Sequence, residues 1–136
     1  MKNNFFKKNH FRIFPLIAIT LLLASCSKKG DSNVTPPSKA SHKVYFKATV
    51  SAGSSINNAA YGYDATQTSA TSLSGTTWTS PELTAPGGTV EAVCSVGATG
   101  ANASSTLTVQ IFVDGTMVKQ GTASGQILGA NVTYSF

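Results

Sequence analysis

Hydrophobic and polar side chains alternate along several short stretches of this chain. Val44, Phe46, Ala48 and Val50 alternate with more polar neighbours, starting directly after His42. A period of two is typical of a β-strand with one buried face. The pattern therefore predicts a first strand from residue 44 to residue 50.

The clearest local structure is predicted for residues 107–120. Two alternating runs flank Asp114-Gly115, and this dipeptide favours a two-residue type I′ turn. A hairpin with that turn predicts four facing pairs, which are Val113 with Thr116, Phe112 with Met117, Ile111 with Val118, and Gln110 with Lys119. Phe112 and Met117 then share the outer face of the hairpin.

Further strands are predicted over 59–65, 76–80, 89–96 and 128–136, and a loop over 97–103. No stretch of the domain has the spacing of three and four that marks a helix, and 27 of the 94 residues from Lys43 onward are Ser or Thr. We therefore predict an all-β fold, a single antiparallel immunoglobulin-like β-sandwich of about seven strands.

The first part of the chain has the layout of a secretory signal. Basic residues lead into an apolar stretch at 14–24, which is shorter than the about 20 residues that a membrane-spanning helix needs. The segment Leu23-Ala24-Ser25-Cys26, which closes this stretch, resembles a bacterial lipobox. The resemblance implies that the chain is cut before Cys26, whose thiol carries a diacylglycerol and whose amino group is acylated. An ordinary secreted protein with a chance cysteine is the alternative.

Three regions follow from this interpretation. They are a lipoprotein signal peptide (1–25), a lipidated cysteine and flexible tether (26–41), and a β-sandwich domain (42–136). Two or three acyl chains anchor a protein stably, so we expect a membrane partner through the lipid on Cys26. The expected location is the bacterial cell envelope, with the outer membrane preferred.

The net charge of the chain bears on whether nucleic acid is an expected partner. The formal net charge of the whole chain is +5, but four of its ten basic residues precede Cys26. From Cys26 onward six lysines face five carboxylates, and 6 − 5 leaves +1. No basic stripe remains to neutralise phosphates, so nucleic acid is not an expected partner.

Catalytic chemistry has little support in the sequence. His42 is the single histidine after Cys26, so neither a Ser-His pair nor a His/Cys metal site is expected inside the domain. Cys94 lies in an alternating apolar row and is expected to be a buried thiol. Asp64, Glu82 and Glu91 are the carboxylates not used in the hairpin turn, and an acid pair among them is conceivable. We expect no enzyme activity and no cofactor.

Three features are candidates for binding, and each has a structural alternative. Phe112 and Met117 form either an apolar patch for a partner protein or a surface covered by another segment. Trp78 either stacks on a sugar ring or anchors the core. Tyr61 and Tyr63, on either side of Gly62, form a recognition surface or cover one sheet.

The hairpin region also carries a resemblance. The residues Ile111-Phe112-Val113-Asp114-Gly115, then Val118 and Ala123-Ser124-Gly125, resemble the C-terminal half of the MmpS family. Members of that family are small membrane-anchored β-sandwich proteins that act as accessory subunits of lipid- and siderophore-exporting transporters. This chain departs from them in its lipobox, in Thr77 where a proline is expected before the tryptophan, and in lacking a cysteine in the hairpin.

The sequence thus predicts a non-catalytic, membrane-anchored envelope lipoprotein. The resemblance implies a periplasm-facing adaptor that binds an envelope or transporter protein. The alternative is a surface module that binds polysaccharide or host glycans through Trp78, Tyr61 and Tyr63.

Overall fold

The computed structural model describes residues 39–136, and these residues form an all-β sandwich of two antiparallel sheets. The predicted fold class is confirmed. The predicted signal peptide, Cys26 and most of the predicted tether lie outside the described residues. Between residues 39 and 136 no helix is long and apolar enough to cross a membrane.

The sandwich has nine strands rather than about seven. They are β1 (His42–Val50), β2 (Ser55–Tyr63), β3 (Thr66–Ala70), β4 (Thr77–Thr79), β5 (Leu83–Ala85), β6 (Glu91–Thr99), β7 (Thr106–Val113), β8 (Thr116–Ser124) and β9 (Ile127–Ser135).

One sheet has the order β4-β1-β7-β8, with β5 pairing with β1 beyond the end of β4. The other sheet has the order β3-β2-β6-β9. Alternate side chains of both sheets point inward, as the period of two predicts. The largest fully buried side chains include Phe46, Ile56, Leu107, Ile111 and Leu128.

Two strands, β3 and β5, were not predicted from the pattern. All five residues of β3 are polar or small, so the strand shows no apolar alternation. It forms because it is paired with β2 through a two-residue turn, in which Asp64 has a φ of 45°. The predicted strand at 59–65 is therefore wrong in its bounds, because the strand runs from Ser55 to Tyr63 and the turn follows.

The predicted loop at 97–103 is also partly wrong, because β6 continues to Thr99. Gly97 faces the irregular part of β2, and a Cβ at this glycine would lie 2.9 Å from Oδ1 of Asn58. Gly97 therefore allows the two strands to approach closely at a β-bulge, rather than ending the strand.

The hairpin at residues 106–124 has the predicted turn but only part of the predicted register. Asp114 and Gly115 have φ of 49° and 80°, and type I′ requires positive values at both. The two pairs next to the turn are as predicted, but Ile111 pairs with Lys119, not Val118. A bulge at Val118 shifts the register by one residue.

The bulge has a physical reason in the sequence of β8. Val118 and Ala123 both pack against the core, although they are five residues apart and a regular strand would place them on opposite faces. Gly121 also faces inward, where a Cβ would lie 2.7 Å from the Val132 side chain. One extra residue resolves this conflict and keeps the apolar positions inside.

Candidate functional site

The outer face of the β1-β7-β8 sheet carries an aromatic patch, defined here as Tyr45, Phe112 and Met117. The three residues lie opposite one another across the three strands. The rings of Tyr45 and Phe112 are stacked, with centroids 4.7 Å apart and planes inclined by 7°. Met117 is 46% exposed, and the two rings are half-buried. Phe112 and Met117 therefore share the outer face, as predicted.

Lys47 places a positive charge on the patch. It follows Tyr45 by two residues on the same face of β1, and its Nζ lies 5.0 Å from the Phe112 ring centroid and 5.6 Å from that of Tyr45. A cation at this distance from an aromatic face is attracted by about 0.5–1 kcal/mol at an exposed site. Neither the ion pair of His42 with Asp114 nor that of Lys43 with Glu82 uses Lys47.

Polar side chains continue the same face beyond the aromatic patch. Lys47, Gln110 and Gln120 form one row across the three strands, and Gln110 Nε2 donates a 2.9 Å hydrogen bond to Gln120 Oε1. Three threonines form the next row: Thr49, Thr108 and Thr122. The face thus combines an apolar cluster with an ordered polar surface.

Trp78 and Tyr61 lie together at the inner side of the sandwich rather than on its surface. Tyr61 is 5% exposed, and its ring lies 5.6 Å from that of Phe46 and 5.2 Å from that of Trp78. Trp78 is half-buried and pairs with Ala48, a core residue of β1. The tryptophan therefore packs across the gap between the two sheets.

Tyr63 is half-buried and packs against the core. Because Tyr61 is buried, the two tyrosines do not form a joint exposed surface. Gly62 between them does permit a close approach, since a Cβ there would lie 2.0 Å from the Thr66 carbonyl oxygen of β3. These residues hold the β2–β3 hairpin against the core.

Asp114 connects the hairpin turn to the start of β1. Its Oδ1 accepts a 2.8 Å hydrogen bond from the Lys43 backbone N–H, and its Oδ2 lies 2.7 Å from His42 Nδ1. The hydrogen bond with His42, and then the one with Lys43, lower the pKa of Asp114 below its usual value. The turn therefore also fixes the strand that carries Tyr45 and Lys47.

Cys94 is fully buried, and burial raises its pKa to about 12. The thiol is surrounded by core residues and stays protonated at neutral pH, since desolvation disfavours the thiolate. The prediction of a buried Cys94 is confirmed.

The remaining polar groups do not converge on a chemical site. Glu82 pairs with Lys43 at 3.4 Å, and Asp64 accepts hydrogen bonds from the backbone N–H groups of Val90 and Glu91. Among residues 39–136 there is no group of three or more His, Cys, Asp or Glu side chains that could hold a metal ion.

Sequence reasoning missed Tyr45 and Lys47, which complete the site. Both have odd residue numbers in the predicted first strand, and the alternation of apolar and polar residues predicts that these positions point outward. Their position beside Phe112 could not be predicted in this way, because it depends on the pairing of β1 with β7, more than sixty residues later in the chain.

Comparison with protein-family models gives no match for this chain, and comparisons with curated proteins and with solved structures give none either. The resemblance to the MmpS family and the lipobox interpretation therefore stay predictions.

Proposed function

We propose that this protein is a non-catalytic lipoprotein of the bacterial cell envelope, which binds a partner protein through the aromatic patch. The observation that carries the proposal is the stacked pair of Tyr45 and Phe112, extended by Met117 on an outer sheet face. No segment of residues 39–136 buries this face, since Met117 remains 46% exposed.

The composition of the patch is typical of a protein interface. Aromatic residues and Met are enriched at the centres of such interfaces, and polar residues surround them. Here the polar surround is the row of Lys47, Gln110 and Gln120. The stacking contact already holds the two rings against each other in the unbound protein, so less conformational entropy is lost on docking.

Anchoring is proposed through a lipid on Cys26, with the outer membrane as the preferred location. Its support is the signal layout that precedes Cys26. Growth with a clickable palmitate analogue tests it directly. Label should be incorporated into the native chain and lost in Cys26→Ala, whereas equal labelling of both would contradict the proposal.

Partner binding is tested by crosslinking in native membranes, followed by affinity purification and mass spectrometry. Four tagged chains are compared: the native protein, Cys26→Ala, the double variant Phe112→Ser/Met117→Ser, and Ile127→Ser. Ile127 is a matched control, since it is 95% exposed, apolar and outside the patch.

We expect an envelope protein to be enriched with the native chain and with Ile127→Ser, and to be lost from the patch variant. The resemblance to the MmpS family suggests a transporter subunit as that partner. Equal recovery from the native chain and a folded patch variant would contradict the proposed role of the patch.

Glycan binding is the second candidate, favoured by the polar rows beside the aromatic stack. Amide and hydroxyl groups next to an aromatic side chain are the combination that sugar recognition uses. In the residues first suggested for this role, Tyr61 is buried and Trp78 is half-buried, so the outer face is the better location. On a glycan array, binding that Gln110→Ala/Gln120→Ala abolishes would favour this function over protein docking.

A further inference from the structure

One end of the sandwich carries an exposed apolar cluster, defined here as the apolar end and formed by Val90, Tyr134 and Phe136. Val90 is 69% and Phe136 39% exposed. The backbone N–H of Phe136 donates a 3.0 Å hydrogen bond to the Val90 carbonyl, and the rings of Tyr134 and Phe136 lie edge to face at 5.3 Å. Tyr134, whose ring is apolar with a hydroxyl at one end, is of the residue type that is enriched at the boundary between water and lipid.

The chain enters the described domain at this same end. Lys39 and His42 line an open groove of about 350 Å³ together with Phe136, Pro86 and Thr89, and the rings of His42 and Phe136 stack at 5.2 Å. Residues 27–38 separate Lys39 from Cys26. A chain of that length spans at most about 45 Å when fully extended, so a lipid on Cys26 holds the point of entry within that distance of the bilayer.

The opposite end also exposes an apolar side chain, but the described part of the chain does not begin there. Ile127 is 95% exposed there, and it faces Thr99 at the far end of β6, whereas Glu91 at the near end of β6 follows Val90. Eight residue steps along a strand correspond to about 26 Å. Ile127 therefore offers a similar exposed apolar side chain far from the point where the chain enters.

The net charge of the apolar end bears on the kind of lipid surface that it can contact. The four carboxylate side chains of the described residues lie at or near the apolar end. Asp64 accepts a hydrogen bond from the Val90 backbone, and Glu91 is the next residue after Val90. Asp114 pairs with His42, and Glu82 pairs with Lys43. With Lys39 and Lys43 as the cations there, 2 − 4 gives a local charge of −2. This charge is repelled by anionic headgroups, so a surface of zwitterionic lipid, which has no net charge, is the one that this end can approach.

We infer that the apolar end rests on a zwitterionic phospholipid surface, with Val90 and Phe136 at the level of the headgroups. The inference rests on the proposed anchoring through Cys26. Contact at this end orients the sandwich upright, and it leaves Ile127 and the uncharged loops around it pointing away from the bilayer.

The test uses the full lipidated chain in phosphatidylcholine–phosphatidylethanolamine vesicles. The environment-sensitive fluorophore NBD is attached at Val90→Cys, at Phe136→Cys or at the control Ile127→Cys. Cys94 does not compete for the label, because it is buried with a pKa of about 12. Lipids with a doxyl quencher near the headgroup report contact, since interfacial residues lie about 5–10 Å into this boundary.

We expect quenching at positions 90 and 136 to exceed that at position 127 by about two-fold or more, and to fall as phosphatidylglycerol is added. Equal quenching at all three positions, in a chain that floats with the vesicles, overturns the inference and leaves the anchor intact. A chain that does not float overturns the anchor and the inference with it. Quenching that rises with phosphatidylglycerol overturns the assignment to zwitterionic lipid.

Discussion

Two neighbouring residues of β7 provide a direct test of whether the aromatic patch is a surface. Ile111 is 0% exposed and points inward, whereas Phe112 points outward and is half-buried. Replacing a fully buried Ile by Ala costs about 2–5 kcal/mol, because a cavity remains after the side chain is removed. We therefore expect Ile111→Ala to lose an amount in that range.

Phe112→Ala should cost less although Phe is the larger residue. The substitution removes the stacking contact with Tyr45, worth about 0.5–1.5 kcal/mol. It also removes the cation contact with Lys47, worth about 0.5–1 kcal/mol at an exposed site. The outer face leaves no enclosed cavity, since water fills the space. These two contacts sum to about 1–2.5 kcal/mol, and the apolar area of the half-buried ring adds roughly half of the about 1.5–3 kcal/mol of a fully buried Phe.

The free energy of unfolding is measured by urea titration, with Trp78 fluorescence as the signal, and the slope of the transition is compared between variants. The native chain and Ile127→Ala, which removes an exposed side chain, serve as references. A loss in Phe112→Ala equal to or larger than that in Ile111→Ala would refute the reasoning, because it would place Phe112 in the core.

Four further outcomes are expected. Ser80→Ala should lose about 1–3 kcal/mol in the same titration, since the Ser80 hydroxyl accepts the buried Phe46 N–H at 3.0 Å and no water can replace it; a change below about 0.5 kcal/mol, as at an ordinary surface site, would contradict this. Gly62→Ala should lower the melting temperature strongly, because its Cβ would lie 2.0 Å from a backbone oxygen, and an unchanged value would show that β3 moves freely. Cys94 should resist a maleimide at pH 8 in the native protein and react in urea, whereas equal rates would show an accessible thiol. The contacts of Asp114 lower its pKa in the folded state, so the stability that they contribute is present above the unfolded pKa of about 3.9 and is lost as the pH falls through the folded pKa. Asp114→Asn should therefore flatten the acid side of the curve of unfolding free energy against pH. An unchanged curve would contradict this role of Asp114.

The proposed partner site and the proposed membrane contact lie on different parts of the sandwich. The patch lies on the side of the sandwich, on the outer face of β1, β7 and β8, whereas the apolar end lies where the chain enters. A sandwich that stands upright on the bilayer keeps its side face parallel to the membrane normal. The patch is then accessible to an envelope protein that extends from the same membrane.

Local features of the sequence were sufficient to predict β1, β7 and the turn of the long hairpin, but only the first part of β8. In β1 and β7 each buried residue alternates with an outward one, and Asp114-Gly115 adopts the positive φ values that few other dipeptides accept. The burial of Cys94 followed from the same alternation. These features depend on neighbours within a few residues, so the sequence alone determines them.

Long-range pairing decided the rest. The strand β3 has no apolar pattern of its own and exists because β2 supplies its hydrogen bonds. The bulge at Val118 arises because the edge strand must keep its apolar residues inside the closed sandwich. Tyr45 meets Phe112 only through the pairing of two strands distant in sequence, and Tyr61 is buried because Trp78 packs on it from the other sheet. A single sequence specifies which side of a strand faces the core, but the position of the partner strand depends on the balance of packing over the whole domain.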